Sequence, residues 1–285
     1  MVTPAQRRAV VTDAEACRGL SRTRACRYLG VHRSLVRYVP HRVEPPGMRA
    51  RLLEVVVAKP RWGSPRLTWR LRRDGWRVNH KRIERLVRVE HLLVGQRRRR
   101  KQAAVQRVPA PRPTRPDERW SMDFVRDTLA DGRPFRIWTL VDDATREAPL
   151  LLVDRSLPAA RVVEALDLLL LVRQRPQAIV CDHGPEFISL ALDQWAAARG
   201  IRLDFIRPGH PVENCFIESF NGKLRDECLS QHHFASLAEA QHTIETWRRE
   251  YHTERPHRGL GQRTPAEYAA RFTPAEGPSA PTILR

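Results

Sequence analysis

The sequence predicts a mixed α/β domain built on a five-stranded sheet with flanking helices, preceded by a small all-helical region. Three observations carry that reading. Apolar residues recur at helical spacing through the first 95 positions, the pattern turns to period two after Pro116, and from Ala159 onward helical stripes alternate with short apolar runs. Three strands followed by helices alternating with single strands make one sheet that helices can cover.

The bulk properties bound the problem. With 285 residues, 41% of them hydrophobic, the chain can bury a sizeable core as one larger domain plus a smaller region. Lys and Arg number 51 against 32 Asp and Glu, a formal charge of +19 that suits a polyanion, and nucleic acid above all. The five cysteines are scattered, with no Cys-x-x-Cys pair, which argues against a zinc module. The most apolar run, Leu168 to Val172, is far below the roughly 20 residues of a membrane span, and the N-terminus lacks a signal-peptide core. The expectation is a reduced, cytoplasmic, nucleoid-associated protein with no membrane partner.

In residues 1–44, Cys26, Leu29, Gly30 and Val31 followed by Val36 fit a helix-turn-helix: small residue, apolar contact, turn glycine, then an apolar anchor. An ordinary helical hairpin is the alternative, and Arg33, Ser34 and Arg37 are exposed under either. A second helical unit spans residues 45–95, where Leu52, Val55 and Val56, then Leu67 and Leu71, then Ile83, Leu86 and Val87 predict three short helices. Asn79 can cap the last, whose Lys81, Arg82 and Arg85 form either a DNA-facing stripe or a solvated face.

Residues 96–117 read as a linker. Arg97, Arg98, Arg99, Arg100 and Lys101 form a basic block, and Pro109, Pro111, Pro113 and Pro116 keep the chain extended. Phosphate is the natural docking surface for such a block, and a plain tether is the alternative.

Residues 118–230 hold the predicted sheet. Trp120, Met122 and Phe124 point one way, and Ser121, Asp123 and Val125 the other. Asp131-Gly132 offers a hairpin turn, and Phe135 to Val141 and Leu150 to Val153 supply two more strands. Then come a helix from Ala159 to Val172, a buried strand Ala178 to Cys181, a helix carrying Leu192, Trp195 and Ala196, and a strand Ile201 to Phe205. On Asn214 to Cys228, Phe216, Phe220 and Leu224 form an apolar stripe, with Asn214, Glu218, Asn221 and Arg225 on the other side. Residues 231–285 complete the chain with further helices and a tail.

Three acids stand out in this frame. Asp123 lies within the first strand, Asp182 directly follows the fourth, and Glu218 rides on the last helix, so the aspartates meet if their strands are neighbours. A strongly basic chain has a physical reason to gather carboxylates, because hard divalent cations take oxygen ligands and sit between protein acids and phosphate. Their rivals have plainer roles: Asp142 and Asp143 at a strand end and turn, Glu186 at the start of the next helix, and Glu213, Asp226 and Glu227 as surface charges.

The stretches Trp-Ser-Met-Asp-Phe-Val, Val-Asp-Asp-Ala-Thr-Arg-Glu, Asp-His-Gly-Pro-Glu-Phe, Glu-Ser-Phe-Asn-Gly-Lys-Leu-Arg-Asp-Glu and Glu-Arg-Pro-His-Arg-Gly-Leu-Gly resemble the OrfB-type transposases of the bacterial insertion sequence IS-three family, relatives of retroviral integrases. The resemblance covers nearly the whole chain. It implies an RNase H-like fold with Asp123, Asp182 and Glu218 as a DDE triad, and metal-dependent cleavage and strand transfer of double-stranded DNA. Two Mg²⁺ ions, or Mn²⁺ in their place, would be the cofactors. Arg225, with Lys223 nearby, is the candidate phosphate contact, and Asn214 and Asn221 would orient DNA or the metal ligands. It also implies an upstream OrfA-type partner or fusion and a homo-oligomer on DNA. The chain departs from the family at His183, His210 and Glu213, and at His91 in place of a helix-ending glycine. A DNA-binding protein without catalysis, such as a terminus-binding repressor, and an RNase H-like nuclease are the alternative readings.

Overall fold

The computed structural model describes residues 4–38, 45–92, 113–207 and 214–272. The basic block Arg97, Arg98, Arg99, Arg100 and Lys101 lies outside the described residues, as do His210 and Glu213. The chain divides into two compact units, Met1–Arg51 and Leu52–Arg285.

The first unit contains α1 (Pro4–Arg18), α2 (Arg22–Tyr28) and α3 (Arg33–Arg37). Val11, Ala25, Cys26 and Val31 form its core, with Leu35 and Val36 packed alongside. The turn after α2 needs a left-handed residue, and Gly30 supplies it at φ 61°. That turn closes as the Val31 amide donates to the Cys26 carbonyl over 2.9 Å. His32 then caps α3 by accepting from the Ser34 amide. Three short helices thus stand where a helix-turn-helix is expected, and Arg33, Ser34 and Arg37 are exposed on them.

α4 (Met48–Ala58) crosses the division between the units, followed by α5 (Ser64–Arg73) and α6 (His80–Val89). Leu67, Leu71, Ile83, Leu86 and Val87 are buried as their spacing requires. Asn79 caps α6 by accepting from the Lys81 amide over 3.1 Å. Without the expected glycine, α6 still ends in a Schellman turn: the Leu92 amide donates to the Val87 carbonyl and the His91 amide to Arg88. His91 takes the left-handed position itself, at φ 55°. Lys81 and Arg85 are exposed on α6, and Arg82 is half-buried.

The sheet consists of β1 (Arg119–Thr128), β2 (Pro134–Asp142), β3 (Leu150–Asp154), β4 (Ala178–Cys181) and β5 (Arg202–Phe205), in the spatial order β3-β2-β1-β4-β5. β1, β2 and β3 pair antiparallel, while β4 joins β1, and β5 joins β4, in parallel. The β1–β2 turn uses Gly132 at φ 83°. Between β3 and β4 runs α7 (Ala159–Leu170), two residues shorter than expected; between β4 and β5 runs α8 (Leu190–Arg199), capped by Ser189.

Both sheet faces are buried. Trp120, Met122, Trp138, Leu140, Ile179 and Cys181 pack with Val162, Leu166, Leu192 and Trp195 of α7 and α8. On the opposite face Val125, Ile137, Val141 and Val153 pack with α9 (Cys215–Glu227) and α10 (Leu237–Thr253) through Ile217, Phe220, Leu224, Ile244, Trp247 and Tyr251. The chain's last described helix is α11 (Pro265–Ala269), which opens with a capping box between Thr264 and Glu267.

Candidate active site

The parallel register of β1 and β4 sets the two aspartates. Ser121 pairs with Val180, and two residues on in each segment stand Asp123, within β1, and Asp182, directly after the end of β4. Strand alternation turns both toward the α9 face, because their neighbours Met122 and Cys181 belong to the opposite core. α9 packs across β1 and β2 on this face. It brings Glu218 into the electrostatic field of Asp123.

Asp123 and Asp182 have separate hydrogen bonds, and both Asp182 and Glu218 are near enough for their charges to act on Asp123. Asp123 accepts from Asn221 Nδ2 over 2.8 Å through Oδ2 and from the Phe124 amide through Oδ1. Asp182 accepts from the Gly184 amide over 3.0 Å. Glu218 is exposed. Burial raises the Asp123 pKa, and the negative charges of Asp182 and Glu218 raise it further, while the Phe124 amide and Asn221 pull it down. Burial also raises the pKa of Glu218. Among the described residues, no three His, Cys, Asp or Glu side chains draw together tightly enough to hold a metal ion.

The donor set nevertheless fits a hard divalent cation, being all oxygen and carried on neighbouring elements. Asn221 is buried, and its Oδ1 has no hydrogen-bond partner among the described residues, so its amide is spent on Asp123 alone.

The loop after Asp182 is held by its own packing. Phe187 stacks on Phe124 with ring centroids 5.1 Å apart. Arg136 lies 4.2 Å above the Phe124 ring and pairs with Glu186. Glu186 therefore anchors this loop to β2, a correction to its expected role at the start of α8. A β-carbon on Gly184 would sit 3.0 Å from the Asp182 carboxylate, so glycine keeps that side chain in place. His183 is exposed and lies against Phe205, with ring centroids 5.4 Å apart.

Several expectations on α9 change. The buried stripe is Ile217, Phe220 and Leu224, and Phe216 lies half-exposed one position off it. The Phe216 ring carries the Arg146 guanidinium 3.7 Å from its centroid and Arg119 at 5.6 Å. Asn214 and Asn221 are buried, 3% and 6% exposed, and Asn221 bonds to Asp123, the second of the two roles expected of it. Lys223 turns back along the helix to the Ser219 carbonyl and hydroxyl, at 2.9 and 2.7 Å. Burial, with Arg255, Arg66 and Arg146 around it, pushes its pKa down to about 7. Arg225 is exposed, as expected.

The remaining acids are structural. Asp142 receives the Ala144 and Thr145 amides at 2.9 Å each, and the Asp117 amide and Arg173 on its other oxygen. Asp143 is bound by Ser121 and Arg119 at 2.7 and 2.6 Å, and burial raises its pKa to about 6. Glu227, expected at the surface, is buried between Arg66 and Arg255. Partners so far away in sequence left no local signal for this.

Models of the Integrase core domain match residues 113–211 and 199–265, and a model of an HTH-like domain matches residues 49–101. The chain is 43% identical over 263 residues to the 31.7 kDa protein of insertion element IS407 from Burkholderia multivorans, covering 92% of this chain and 95% of that protein. It is also 43% identical over 256 residues to the 39.2 kDa protein of insertion element IS476 from Xanthomonas euvesicatoria, covering 89% and 73%. Among solved structures, a chain of the simian T-cell lymphotropic virus intasome in complex with PP2A regulatory subunit B56 gamma shares the fold. Its TM-score is 0.52 at 15% identity, over 81% of this chain and 76% of that one. With integrase-core strands and helices around two adjacent aspartates, and near full-length relatives in insertion elements, the chain belongs to the insertion-sequence transposases that carry an Integrase core domain.

Proposed function

We propose that the protein is a DDE polynucleotidyl transferase that cuts DNA at the ends of its insertion sequence and joins the freed 3′-hydroxyl to a target strand. Asp123, Asp182 and Glu218 are the catalytic carboxylates and the metal ligands. The observation that carries this reading is Asp123 in β1 beside Asp182 at the end of the adjacent parallel β4, with the helix of Glu218 packed over β1 and the charges of Asp182 and Glu218 both acting on Asp123.

An all-oxygen donor set suits Mg²⁺, with Mn²⁺ as substitute, and two such ions supply Lewis acidity at both the attacking and the leaving oxygen of an in-line displacement. The protein's own residues do the positioning. Asn221 fixes the Asp123 carboxylate through one hydrogen bond, and the Gly184 amide fixes that of Asp182. Exposed Arg225, on the Glu218 side of α9, is the phosphate contact.

DNA recognition is divided along the chain. Residues 1–44 with Arg33 and Arg37, and residues 45–95 with Lys81 and Arg82, bind duplex DNA; the linker 96–117 tracks phosphate; residues 118–230 carry catalysis; and residues 231–285 support them. Pairing two DNA ends calls for a homo-oligomer, and an upstream OrfA-type partner or fusion completes the working enzyme. Chromosomal DNA as substrate puts this work in the bacterial nucleoid.

The test is strand joining on a labelled duplex carrying the element's ends, with Mg²⁺. Wild type cuts and joins, and Glu218→Gln does neither while still binding DNA. Cutting without joining would favour an RNase H-like nuclease; binding alone would favour a terminus-binding repressor.

A further inference from the structure

The motif Glu254-Arg255-Pro256-His257-Arg258-Gly259-Leu260-Gly261 has no part in the chemistry above, yet it does not sit idle on the surface. Its Arg255, His257 and Arg258 form one wall of a cavity of about 920 Å³. Phe216, Ser219 and Lys223 of α9 form a second wall, and Arg61 to Arg66, at the start of α5, a third. That volume is in the range of built ligand sites.

The charge in this cavity is unbalanced: Arg61, Arg66, Arg146, Lys223, Arg255 and Arg258 line it against Glu84 and Asp226, with Glu227 just behind the wall. Glu227 is shared by Arg66 at 2.8 Å and by Arg255, which grips it with two bonds of 2.6 and 2.7 Å. One carboxylate thus serves two guanidiniums. Lys223 stands beside them, feeling the same Glu227 charge, while its hydrogen bonds go to the two oxygens of Ser219. Arg258 is exposed at the rim. Cations gathered at this density repel one another, and an anion entering the cavity relieves that repulsion. His257, 7% exposed, has an Nε2 without a hydrogen-bond partner among the described residues.

The cavity is also close to the carboxylates. Lys223 follows Glu218 by five positions on the same helix, a rise of about 7.5 Å, which is roughly two nucleotides along a B-form strand. Five positions also turn about 140° around the helix, but Cys215, less than one turn before Glu218, lines the cavity and feels the Glu218 charge, so the cavity flanks that carboxylate.

We propose that the cavity walled by Lys223, Arg66, Arg255, His257 and Arg258 binds a backbone phosphate of the DNA strand that enters the active site. This rests on the DNA-joining reading, and it assigns to the Arg-Pro-His-Arg motif the task of holding the strand next to the reaction. Arg255 orients, since Glu227 fixes its guanidinium, while Lys223 and Arg258 supply charge.

The experiment measures affinity of the full-length protein for a fluorescent duplex by anisotropy, in EDTA, across a salt series. Each lost phosphate contact lowers the slope of log K against log salt by about 1. Lys223→Gln and Arg258→Gln are each expected to lower the slope by about that amount, and Lys223→Arg to restore it. Arg161→Gln, on α7 and outside the cavity, is expected to leave it unchanged. An unaltered slope in Lys223→Gln overturns the proposal. So does weaker binding at unaltered slope, which means Lys223 acts only through the packing of α9. Because no metal is present, the result is independent of catalysis: a lowered slope in a protein that cannot join strands keeps the cavity and sinks the transferase reading.

Discussion

Asn221 on α9 donates from Nδ2 to Oδ2 of Asp123 on β1 over 2.8 Å, tying the helix that carries Glu218 to the strand that carries the first aspartate. One hydrogen bond thus sets both the orientation of a candidate metal ligand and the seat of the helix bearing another. Partners of this kind typically change activity 10–100-fold when removed. Asn221→Ala is expected to lower the strand-joining rate by roughly tenfold or more while DNA affinity in EDTA stays within about twofold. Equal joining rates for the variant and wild type would show that Asp123 needs no such partner.

Glu227 holds two arginines from opposite ends of the second unit, Arg66 of α5 and Arg255 beyond α10, with its own side chain 8% exposed. Removing it leaves two cations enclosed without their acid, so Glu227→Ala is expected to destabilise by about 3–5 kcal/mol. Neighbouring Asp226 pairs with Arg61 at a far more exposed position, 43% for its side chain. Asp226→Ala is expected to cost at most about 1 kcal/mol. Urea unfolding midpoints of the two variants, compared side by side, check the contrast.

His252 on α10 accepts the Ala148 amide through Nε2 at 2.8 Å. Burial, with Arg248 and Arg173 nearby, pushes its pKa down to about 4. His257 is pushed down to about 2, first by burial and then by Arg255. Both are depressed on folding, so the unfolded chain binds more protons once pH falls below about 6.5. The stability they contribute is complete above that pH and is lost progressively as acid is added, down through the folded-state values. Melting temperature is expected to drop steadily from pH 6.5 to 4. In His252→Gln, which keeps an acceptor and cannot titrate, the drop is shallower. An equally steep drop in the variant would assign the acid sensitivity elsewhere.

His91 closes α6 in the left-handed conformation at φ 55°. Left-handed backbone costs a residue with a β-carbon about 1–2 kcal/mol, partly offset by the entropy that glycine loses on folding. His91→Gly is expected to stabilise the helical unit by about 0.5–1 kcal/mol, read as a rise in melting temperature. A fall would mean that the imidazole makes a contact worth more than the strain.

Much of this protein follows from local pattern alone. Period-two alternation placed Trp120 and Met122 on one face of β1 and Asp123 on the other, and helical spacing located α5 and α6, down to the Asn79 cap. These rules act over a few residues, so a linear chain displays them. The three acids could be picked out because each stands in its own recognisable setting: strand, strand end and amphipathic helix. The apolar stripe of α9 was misjudged by one position, Phe216 for Ile217, because helical phase is decided by what the sheet offers to pack against.

What only the tertiary structure decided is who meets whom. Strand order put β1 beside β4 and made neighbours of two aspartates far apart in sequence. Packing of α9 over β1 put Asn221, a candidate for orienting either DNA or the metal ligands, against Asp123, and enclosed Glu227, expected as a surface charge, between two arginines. Charge and hydrogen-bond partners depend on distance through space, and a sequence records only distance along the chain.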